Sequence, residues 1–373
     1  MLGAVQWGVL AAIVVLLVPM GMAGWHLSRN KMLFFSGALF ITLAVCVHLT
    51  PYFPSSVYDF VSSVQSVVVF DNRDSCIDSV NDMLWDVKPS STDPSSSSSS
   101  FTAYDKKWSW SKSGKVSVCE FQKLSRSDAS DLLNGSWVVV AGDSQARLIT
   151  QSLLNLVLDS KKMESVKEDL FKRHSDYEVF VDEFGMKLDY IWAPYESNLT
   201  DLMIGIKHNR SYPDVLVMGS GLWHMVHVNN ASDYGVSLQL LRSSVVSMLP
   251  LLTELGTGTD GSVEGSATIR SPHLFWLGMP MLINGMLNTD EKREKMSDEV
   301  WHAYNRALRD SQLLRNSGGP LLLLDIQSLT WNCGPHCTAD GMHYDAAVYD
   351  AAVHAMLNAL LIQSHQKISE TKF

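Results

Sequence analysis

The chain has 373 residues, a formal net charge of −10 at pH 7 and a hydrophobic content of 46%. This acidic balance, without a dense Lys/Arg run, excludes a protein whose main partner is nucleic acid, because phosphate binding needs a concentrated basic face. The hydrophobic content and eleven tryptophans exclude a chain that is disordered throughout. The length suffices for one sizeable α/β domain with accessory segments.

The N-terminal region is predicted to anchor the chain in a membrane. Residues 2–24 and 32–50 carry no Asp, Glu, Lys or Arg, and each run is about long enough to cross a bilayer as a helix. Arg29 and Lys31 lie between the two runs and are expected on the cytosolic side. With either one span or two, the rest of the chain is then lumenal. We therefore assign residues 1–52 to an anchor of one or two helices.

A serine- and proline-rich segment separates this anchor from the folded sequence. Residues 89–100, PSSTDPSSSSSS, have a composition typical of a linker that does not pack against a core. We predict a lumenal stem over residues 53–103, which contains the linker, and a folded domain over residues 104–373.

Apolar runs alternate with helical patterns along this folded domain. Most runs are continuously apolar, which is typical of strands buried on both faces in a parallel sheet covered by helices. The predicted strands are Trp137–Ala141, Tyr177–Val181, Leu188–Ala193, Val215–Met218, Leu274–Leu277 and Leu321–Ile326. Helices are predicted after Ser144, after Asp233, at about 289–315 and at about 345–363. This order predicts a doubly wound, three-layer α/β/α domain.

Three polar motifs lie where such a fold places its sites. Residues 142–144, Gly-Asp-Ser, follow the first strand, and residues 219–221, Gly-Ser-Gly, follow the fourth. Residues 340–343, Asp-Gly-Met-His, come after the last strand and open the last helix. Because the carboxyl ends of parallel strands meet at one edge of the sheet, we expect all three motifs to lie close together.

These motifs contain the groups that acyl transfer requires. A serine hydroxyl becomes a nucleophile when a base takes its proton and a third group orients that base, and Ser144, His343 and Asp340 fit these roles. The backbone N–H of Ser144 and that of Gly219 or Gly221 are candidate donors to the developing oxyanion. Taken alone, each motif also fits a turn or a helix cap. Their order and shared edge favour catalysis.

Four further residues beside these turns are assigned to the oxyanion and substrate site: Gly142, Asp143, Trp223 and His224. Asp143 also fits a structural role, in which its carboxylate accepts backbone hydrogen bonds around the turn. Trp223 is a candidate to stack on a sugar, and His224 is a candidate to line the site. Burial in the core is the alternative for both side chains.

Sequons and cysteines agree with a lumenal domain. Sequons for N-glycosylation begin at Asn134, Asn198, Asn209 and Asn230. Outside the membrane runs, the cysteines are Cys76, Cys119, Cys333 and Cys337, which an oxidising compartment can join as two disulfides in three connectivities. We predict no metal site, because Cys333, His336 and Cys337 have no second cluster to complete a tetrahedral set.

The order of the three motifs resembles that of the SGNH/GDSL esterase superfamily. The upstream segment Tyr104-Asp-Lys-Lys-Trp-Ser-Trp110, followed by Cys119-Glu-Phe121, resembles the plant Trichome Birefringence-like proteins. The resemblance implies an SGNH-hydrolase-like fold and a Golgi membrane protein whose lumenal PC-esterase domain takes part in O-acetylation of wall polysaccharides such as xyloglucan and xylan. It implies Ser144 as the acetyl-accepting nucleophile, His343 as its base and Asp340 as the group that orients the base.

Our first hypothesis is therefore a lumenal acetyl-handling enzyme, an O-acetyltransferase or acetylesterase of the SGNH type, that forms an acetyl-enzyme on Ser144 and passes acetyl to a sugar hydroxyl, to another acetyltransferase or to water. No bound cofactor is expected. The donor is acetyl-CoA or a carrier supplied through a membrane acetyl transporter, and the expected partners are the polysaccharide or other acetyltransferases. Trichome Birefringence-like members carry Asn-x-Gly-x-Trp-Trp where residues 219–224 are GSGLWH, so a side-chain oxyanion donor is absent here. That difference supports a second hypothesis, a glycan-binding or scaffold subunit without catalysis. A polysaccharide acetylesterase is a third.

Overall fold

The computed structural model describes residues 76–90, 104–249 and 272–364, which belong to one compact unit, Ser75–Phe373. The predicted membrane anchor and most of the predicted stem lie outside the described residues. The strands are β1 (Met83–Pro89), β2 (Tyr104–Trp110), β3 (Trp137–Gly142), β4 (Tyr177–Val181), β5 (Met186–Trp192), β6 (Val215–Met218), β7 (His273–Leu277) and β8 (Leu322–Leu324).

Strands β3 to β8 form a central sheet in the order β4-β5-β3-β6-β7-β8. All neighbours are parallel except β4, which pairs antiparallel with β5. Residues 182–185 join these two strands, and so short a connection returns the chain antiparallel. The predicted doubly wound sheet is confirmed as mostly parallel, and its order reverses between β3 and β6. Open α/β sheets bind ligands in the crevice at such a switch point.

Helices cover both faces of this sheet. They are α1 (Gly114–Ser117), α2 (Arg126–Leu132), α3 (Ser144–Val157), α4 (Ser160–Leu170), α5 (Glu196–Asn209), α6 (Leu222–His227), α7 (Ala231–Met248), α8 (Asp290–Lys295), α9 (Asp298–Asp310), α10 (Ile326–Cys333) and α11 (Ala346–Ser364). Val138 and Val140 of β3 pack in one core with α3 and α11. Val139 and Ala141 pack in a second core with α5, α7 and α9. The predicted three-layer arrangement is therefore confirmed.

Helix α11 is a core helix. All its residues from Val348 to Leu361 are buried except Asp350. In the part of the chain that the structure describes, α11 is the one helix with the length and hydropathy to cross a membrane, and 67% of its most apolar window is buried inside the protein. The predicted bounds of about 345–363 agree with this helix.

The folded unit begins earlier than the sequence analysis placed it. Strand β1 pairs antiparallel with β2 along its whole length, from Met83 opposite Trp110 to Pro89 opposite Tyr104. Residues 76–90 therefore belong to the domain, and the predicted domain start at residue 104 is wrong. Strand β1 lacks the continuous apolar run by which the other strands were predicted, because only Met83 of its seven residues is buried and its partner lies beyond the serine-rich segment.

Two element bounds also differ from the prediction because a polar side chain caps a new helix. β8 ends at Leu324, and Asp325 caps α10 by accepting a hydrogen bond from the Ser328 N–H at 3.0 Å. The helix predicted at about 289–315 is divided into α8 and α9, because Ser297 caps α9 by accepting a hydrogen bond from the Val300 N–H.

Candidate active site

Ser144 lies at the carboxyl end of the central strand β3 and is the first residue of α3. Asp143 caps this helix, since its carboxylate accepts a hydrogen bond from the Gln145 N–H at 2.9 Å. A Cβ atom at Gly142 would lie 2.4 Å from the backbone oxygen of Gly219. Glycine at position 142 therefore lets β3 and β6 end side by side, which places the Ser144 hydroxyl at the switch point of the sheet.

The structure brings together the three residues predicted to be catalytic. The Oγ of Ser144 lies 2.8 Å from Nε2 of His343, across 199 positions of sequence. Nδ1 of His343 lies 2.7 Å from Oδ2 of Asp340. In this arrangement the imidazole donates its Nδ1–H to the carboxylate, which leaves Nε2 free to accept the serine proton. The hydroxyl, the base and its orienting acid are thus connected without a gap.

Asp340 is held as a carboxylate by its own turn. Its Oδ1 accepts hydrogen bonds from the backbone N–H of Met342 at 2.9 Å and of His343 at 2.7 Å. Burial alone would raise the pKa of the Asp340 carboxyl, but the hydrogen bonds from the His343 side chain and from these two backbone groups outweigh it. The pKa of Asp340 therefore lies below its ordinary value, so the group that orients His343 is ionised at neutral pH.

Side chains outside the predicted set hold the loop that carries the base. Thr338 Oγ1 donates to the backbone oxygen of His343 at 2.6 Å and accepts from the Gly341 N–H at 3.0 Å. Gly341 has φ 73°, and a Cβ atom there would lie 2.5 Å from the backbone oxygen of Ile283. Only glycine fits this turn, and it allows Asp340 and His343 to face each other.

Gln145 connects the nucleophile turn to the same loop. Its Nε2 donates to the backbone oxygen of Met342 at 3.0 Å, and its Oε1 accepts from the Tyr349 hydroxyl at 2.7 Å. Gln145 is 3% exposed and lies on the buried face of α3 with Ile149 and Ser152. Sequence analysis missed this residue, although a glutamine on the apolar side of a helix is a signal that could have indicated a buried polar contact.

The predicted oxyanion donors are only partly available. The N–H of Gly219 donates to the backbone oxygen of Ala141 at 3.0 Å, which extends the β3–β6 ladder by one residue. Gly219 is therefore not a donor to substrate, and that prediction is wrong. Among the residues that the structure describes, the backbone N–H groups of Ser144 and Gly221 have no acceptor. These two groups remain the candidate donors.

The two aromatic residues assigned to the substrate site lie in different environments. Trp223 is partly exposed beside the nucleophile turn. His224 is 3% exposed, and its Nδ1 and Nε2 lie 2.8 Å from the Tyr304 hydroxyl and 3.1 Å from Asp233 Oδ2. Because both ring nitrogens are engaged between α7 and α9, the prediction that His224 contacts substrate is wrong. It packs in the core instead.

Asp143 is a buried carboxyl beside the site, with 3% exposure. Burial raises the pKa of Asp143 to about 6, although the hydrogen bond from the Gln145 N–H and the charge of His343 act in the opposite direction. In the unfolded chain an aspartate titrates near 3.9. The native state therefore holds this proton more tightly than the unfolded state. The contribution of Asp143 to the free energy of unfolding falls as the pH rises from about 4 to about 6.

We therefore expect Asp143→Asn to be more stable than the wild type above pH 6, by up to roughly 3 kcal/mol, and similar to it at pH 4. Asparagine keeps the helix cap but does not ionise. Urea unfolding of the full-length protein in mild detergent, followed by tryptophan fluorescence at pH 4, 6 and 8, measures the difference. Asp159→Asn is the matched control, because Asp159 caps α4 from an exposed position and the hydrogen bond from the Lys162 N–H lowers its pKa. A gain in the free energy of unfolding that is the same at all three pH values would contradict the raised pKa of Asp143.

Both predicted disulfides form, as Cys76–Cys119 and Cys333–Cys337. This pairing leaves no thiolates in the Cys-Gly-Pro-His-Cys segment for a metal ion. Within the described ranges, no group of three or more His, Cys, Asp or Glu side chains is placed to hold a metal.

The Cys333–Cys337 bond joins the end of α10 to the residue before Thr338, and the Cys337 carbonyl accepts from the Asp345 N–H at 2.8 Å. This disulfide therefore borders the loop of the base.

We expect the two disulfides to contribute differently to stability and activity. Chain-entropy arguments give a stabilisation of about 4 kcal/mol for the longer Cys76–Cys119 loop and about 2 kcal/mol for the Cys333–Cys337 loop. The paired serine replacement at 76 and 119 should therefore lower the unfolding midpoint more, whereas that at 333 and 337 should lower acylation of Ser144 more. Parallel urea unfolding and acylation assays measure both effects. Equal losses of activity would show that the shorter disulfide has no special role in the site.

The four sequon asparagines, Asn134, Asn198, Asn209 and Asn230, are all exposed. Two of them use their side chains locally. Oδ1 of Asn198 accepts from the Tyr195 N–H at 3.2 Å, and that of Asn230 accepts from Ser232 and Asp233 to cap α7. Glycosylation at these positions stays a prediction.

Comparisons with known proteins complete the description of the chain. No protein-family model matches it. A curated protein of Arabidopsis thaliana, "Protein ALTERED XYLOGLUCAN 9", is 66% identical over 374 residues, which cover 99% of this chain and 100% of that protein. A solved structure, that of LAE5, an alpha/beta hydrolase enzyme from the metagenome of Lake Arreo in Spain, shares 15% identity at a TM-score of 0.34 and covers 61% of this chain and 95% of its own.

Proposed function

The chain belongs to the family of the Arabidopsis protein ALTERED XYLOGLUCAN 9, and on this premise we propose that it is an acetyl-transferring enzyme of plant cell-wall polysaccharides. The name of that relative supplies the class of acceptor, a xyloglucan-like polysaccharide. The observation that carries the proposal is the continuous contact from Ser144 Oγ to His343 and on to Asp340, at 2.8 and 2.7 Å. We assign the domain to the SGNH-hydrolase-like group because Gly-Asp-Ser leads from β3 into α3 and Asp340 lies three residues before His343 on the loop that precedes the last helix.

In the first step, Ser144 Oγ attacks the carbonyl carbon of the acetyl donor while its proton moves to Nε2 of His343. The carbonyl π electrons move to oxygen, and the N–H groups of Ser144 and Gly221 donate to that oxyanion. When the tetrahedral intermediate collapses, His343 returns the proton to the leaving group. The donor is acetyl-CoA or another acetyl carrier, and the product is an acetyl ester on Ser144.

In the second step, a sugar hydroxyl attacks the acetyl-enzyme and gives its proton to His343. Collapse of the second intermediate returns this proton to Ser144 Oγ and releases the acetylated sugar. Asp340 stays ionised and stabilises the imidazolium that forms in both steps. Water in place of the sugar would give acetate, so transferase and esterase differ only in which acceptor reaches the acetyl-enzyme.

The proposed location is the Golgi lumen, with the N-terminal residues as the membrane anchor. The two disulfides support an oxidising compartment, because such bonds rarely persist in the cytosol. The exposed sequon asparagines are compatible with the same side of the membrane. The proposed partners are wall polysaccharides, other acetyltransferases and a membrane transporter that supplies acetyl groups.

A glycan-binding scaffold subunit is the second candidate. Residues 219–221 carry no amide side chain, so the candidate oxyanion donors are backbone N–H groups alone. This observation favours the scaffold. A scaffold does not need a serine within hydrogen-bond distance of an oriented histidine, and for that reason we rank catalysis first. The two candidates differ in whether Ser144 carries acetyl during function.

The proposal is tested by giving the purified full-length protein an acetyl donor and an acceptor together. The protein in mild detergent is incubated with acetyl-CoA, or with a small activated acetyl ester, and with xyloglucan oligosaccharides. Mass spectrometry then measures acetylated oligosaccharide and free acetate. Acetylated oligosaccharide above a no-enzyme control supports a transferase, and acetate alone supports an esterase. If a folded protein binds the oligosaccharide and gives neither product, the acetyl-transfer proposal is contradicted and the scaffold role is favoured.

A further inference from the structure

A cluster of five rings lies beside the nucleophile turn, and we call it the aromatic cluster: His174, Trp192, Tyr195, Trp223 and His227. The rings of His174 and Trp192 are stacked, with centroids 4.8 Å apart. Trp223 meets both rings edge-on, at 5.1 and 5.4 Å. Tyr195 and His227 lie 6.3 and 4.9 Å from Trp223. The five rings therefore form one continuous surface.

The sheet places this cluster next to Ser144. Trp192 is the last residue of β5 and pairs in register with Gly142, two positions before Ser144. The Ala193 N–H donates to the Gly142 carbonyl at 3.0 Å, so this end of β5 is tied to the nucleophile turn. Trp223 follows Gly221, the second candidate oxyanion donor, by two positions. The aromatic cluster is therefore attached to the nucleophile turn through β5 and to Gly221 through α6.

The rings stay in contact with solvent although large aromatic side chains gain most from burial. Trp192, Tyr195 and Trp223 are partly exposed, and His174 and His227 are exposed. Trp276, on the same sheet, is 0% exposed. Contiguous apolar surface next to a catalytic crevice is typical of a ligand-binding groove.

The cluster is held in place before any ligand arrives. The guanidinium carbon of Arg147 lies 5.3 Å from the Trp192 ring centroid and 5.1 Å from that of Tyr190, within the range of cation–π attraction. Arg147 is 8% exposed and lies one turn after Ser144 on α3. The Trp192 backbone N–H donates to Asp176 Oδ1 at 2.8 Å, which ties down the segment that follows His174. A fixed ring surface loses little conformational entropy on binding.

The polar atoms of the cluster indicate the chemistry of its ligand. In the described part of the chain, the indole N–H groups of Trp192 and Trp223 and the ring nitrogens of His174 and His227 have no hydrogen-bond partner in the protein and are open to solvent. The rings thus combine apolar faces with unpaired donors and acceptors at their edges. A pyranose ring has the complementary pattern, with an apolar C–H face and hydroxyl groups around its rim. A lipid chain has no hydroxyl groups to pair with these edges.

We propose that the aromatic cluster is the acceptor subsite, where Trp223 and Trp192 pack against the pyranose rings of an uncharged polysaccharide and hold one hydroxyl toward the acetyl group on Ser144. This inference rests on the proposed acetyl transfer. The two indole planes cross at 87°, so one ring supplies a stacking face while the other forms a side wall. A hydroxyl held at this edge of the sheet reaches the acetyl-enzyme in competition with water, which favours transfer over hydrolysis.

The test is oligosaccharide binding by the full-length protein without an acetyl donor, so that its outcome does not depend on catalysis. Isothermal titration with xyloglucan oligosaccharides compares the wild type with Trp223→Ala, Trp223→Tyr and Trp331→Ala. Trp331 is the matched control, because it is 66% exposed on α10 and has no part in the cluster. We expect about a tenfold loss of affinity in Trp223→Ala, partial recovery in Trp223→Tyr, and wild-type affinity in Trp331→Ala.

Three outcomes separate this inference from the proposed function. Unchanged affinity in Trp223→Ala, or an equal loss in Trp331→Ala, would overturn the subsite. Binding that depends on Trp223 in a protein that never carries acetyl would keep the subsite and remove the acetyl-transfer proposal. If acetyl transfer occurs, Trp223→Ala should also raise the KM for the oligosaccharide about tenfold, in line with its affinity.

Discussion

Replacing Ser144 by alanine is expected to reduce acylation of the protein by at least about 10⁴-fold, because no other group replaces the attacking oxygen. Its Oγ is the atom that lies 2.8 Å from His343 Nε2. The measurement is intact-mass spectrometry of the full-length protein after incubation with a small activated acetyl ester. The wild type should gain an acetyl group, and Ser144→Ala should not.

The variant is expected to keep its fold. Helix α3 is capped by Asp143 and not by Ser144, and the hydroxyl has His343 as its hydrogen-bond partner. Ser152→Ala is the matched control, since Ser152 lies two turns later on the same helix and is likewise a serine in a helix. Full acylation of Ser144→Ala would disprove the assignment of the nucleophile. Loss of acylation in both variants would point to damage of α3 instead.

The sequence could predict the site because the sheet organises it. Continuous apolar runs indicated buried parallel strands, and polar motifs at their carboxyl ends had to meet at one edge. Ser144 and His343 are far apart in sequence, so only this edge argument could join them. The doubly wound order, confirmed between β3 and β6, is what makes the argument valid.

The oxyanion donors were harder to predict because the sequence does not show which acceptor a backbone N–H will bond to. Gly219 follows β6 as expected, but the ladder extends by one residue and its N–H pairs with Ala141. His224 was misassigned for a related reason. One turn of helix places Trp223 toward solvent and His224 into the core, and side-chain direction on a helix of six residues depends on how that helix docks.

Contacts between segments that are far apart in the sequence could not be predicted either. Strand β1 was missed because its partner β2 lies beyond a serine-rich segment, and β pairing across such a separation leaves no local pattern. The contact between Gln145 and Tyr349 joins α3 to α11 and requires knowledge of how these helices pack. In both cases tertiary pairing, and not local propensity, determined the structure.

Replacing Asp340 by asparagine is expected to lower acylation of Ser144 by about 10³- to 10⁴-fold, because the imidazole of His343 loses the partner that fixes its tautomer. The carboxylate accepts the Nδ1–H at 2.7 Å, whereas an asparagine amide can donate to Nδ1 and leave the proton on Nε2. Protonated Nε2 cannot accept the serine proton. Acylation kinetics with a small acetyl ester measure this loss.

Asp345→Asn is the matched control, because Asp345 lies two residues after His343 but pairs with Lys106 and not with the imidazole. It should keep acylation within about threefold of the wild type, as expected for a charge pair near the surface.

The pKa of Asp340 is lower in the folded state than its value of about 3.9 in the unfolded chain. Its contribution to the free energy of unfolding is therefore full above about pH 3.9 and is lost as the pH falls through the lowered folded-state pKa. Urea unfolding should therefore show Asp340→Asn less stable than the wild type at pH 7, with the difference shrinking below about pH 4. A variant that loses acylation without this pH-dependent difference would show that the hydrogen bond to His343 does not lower the pKa of Asp340.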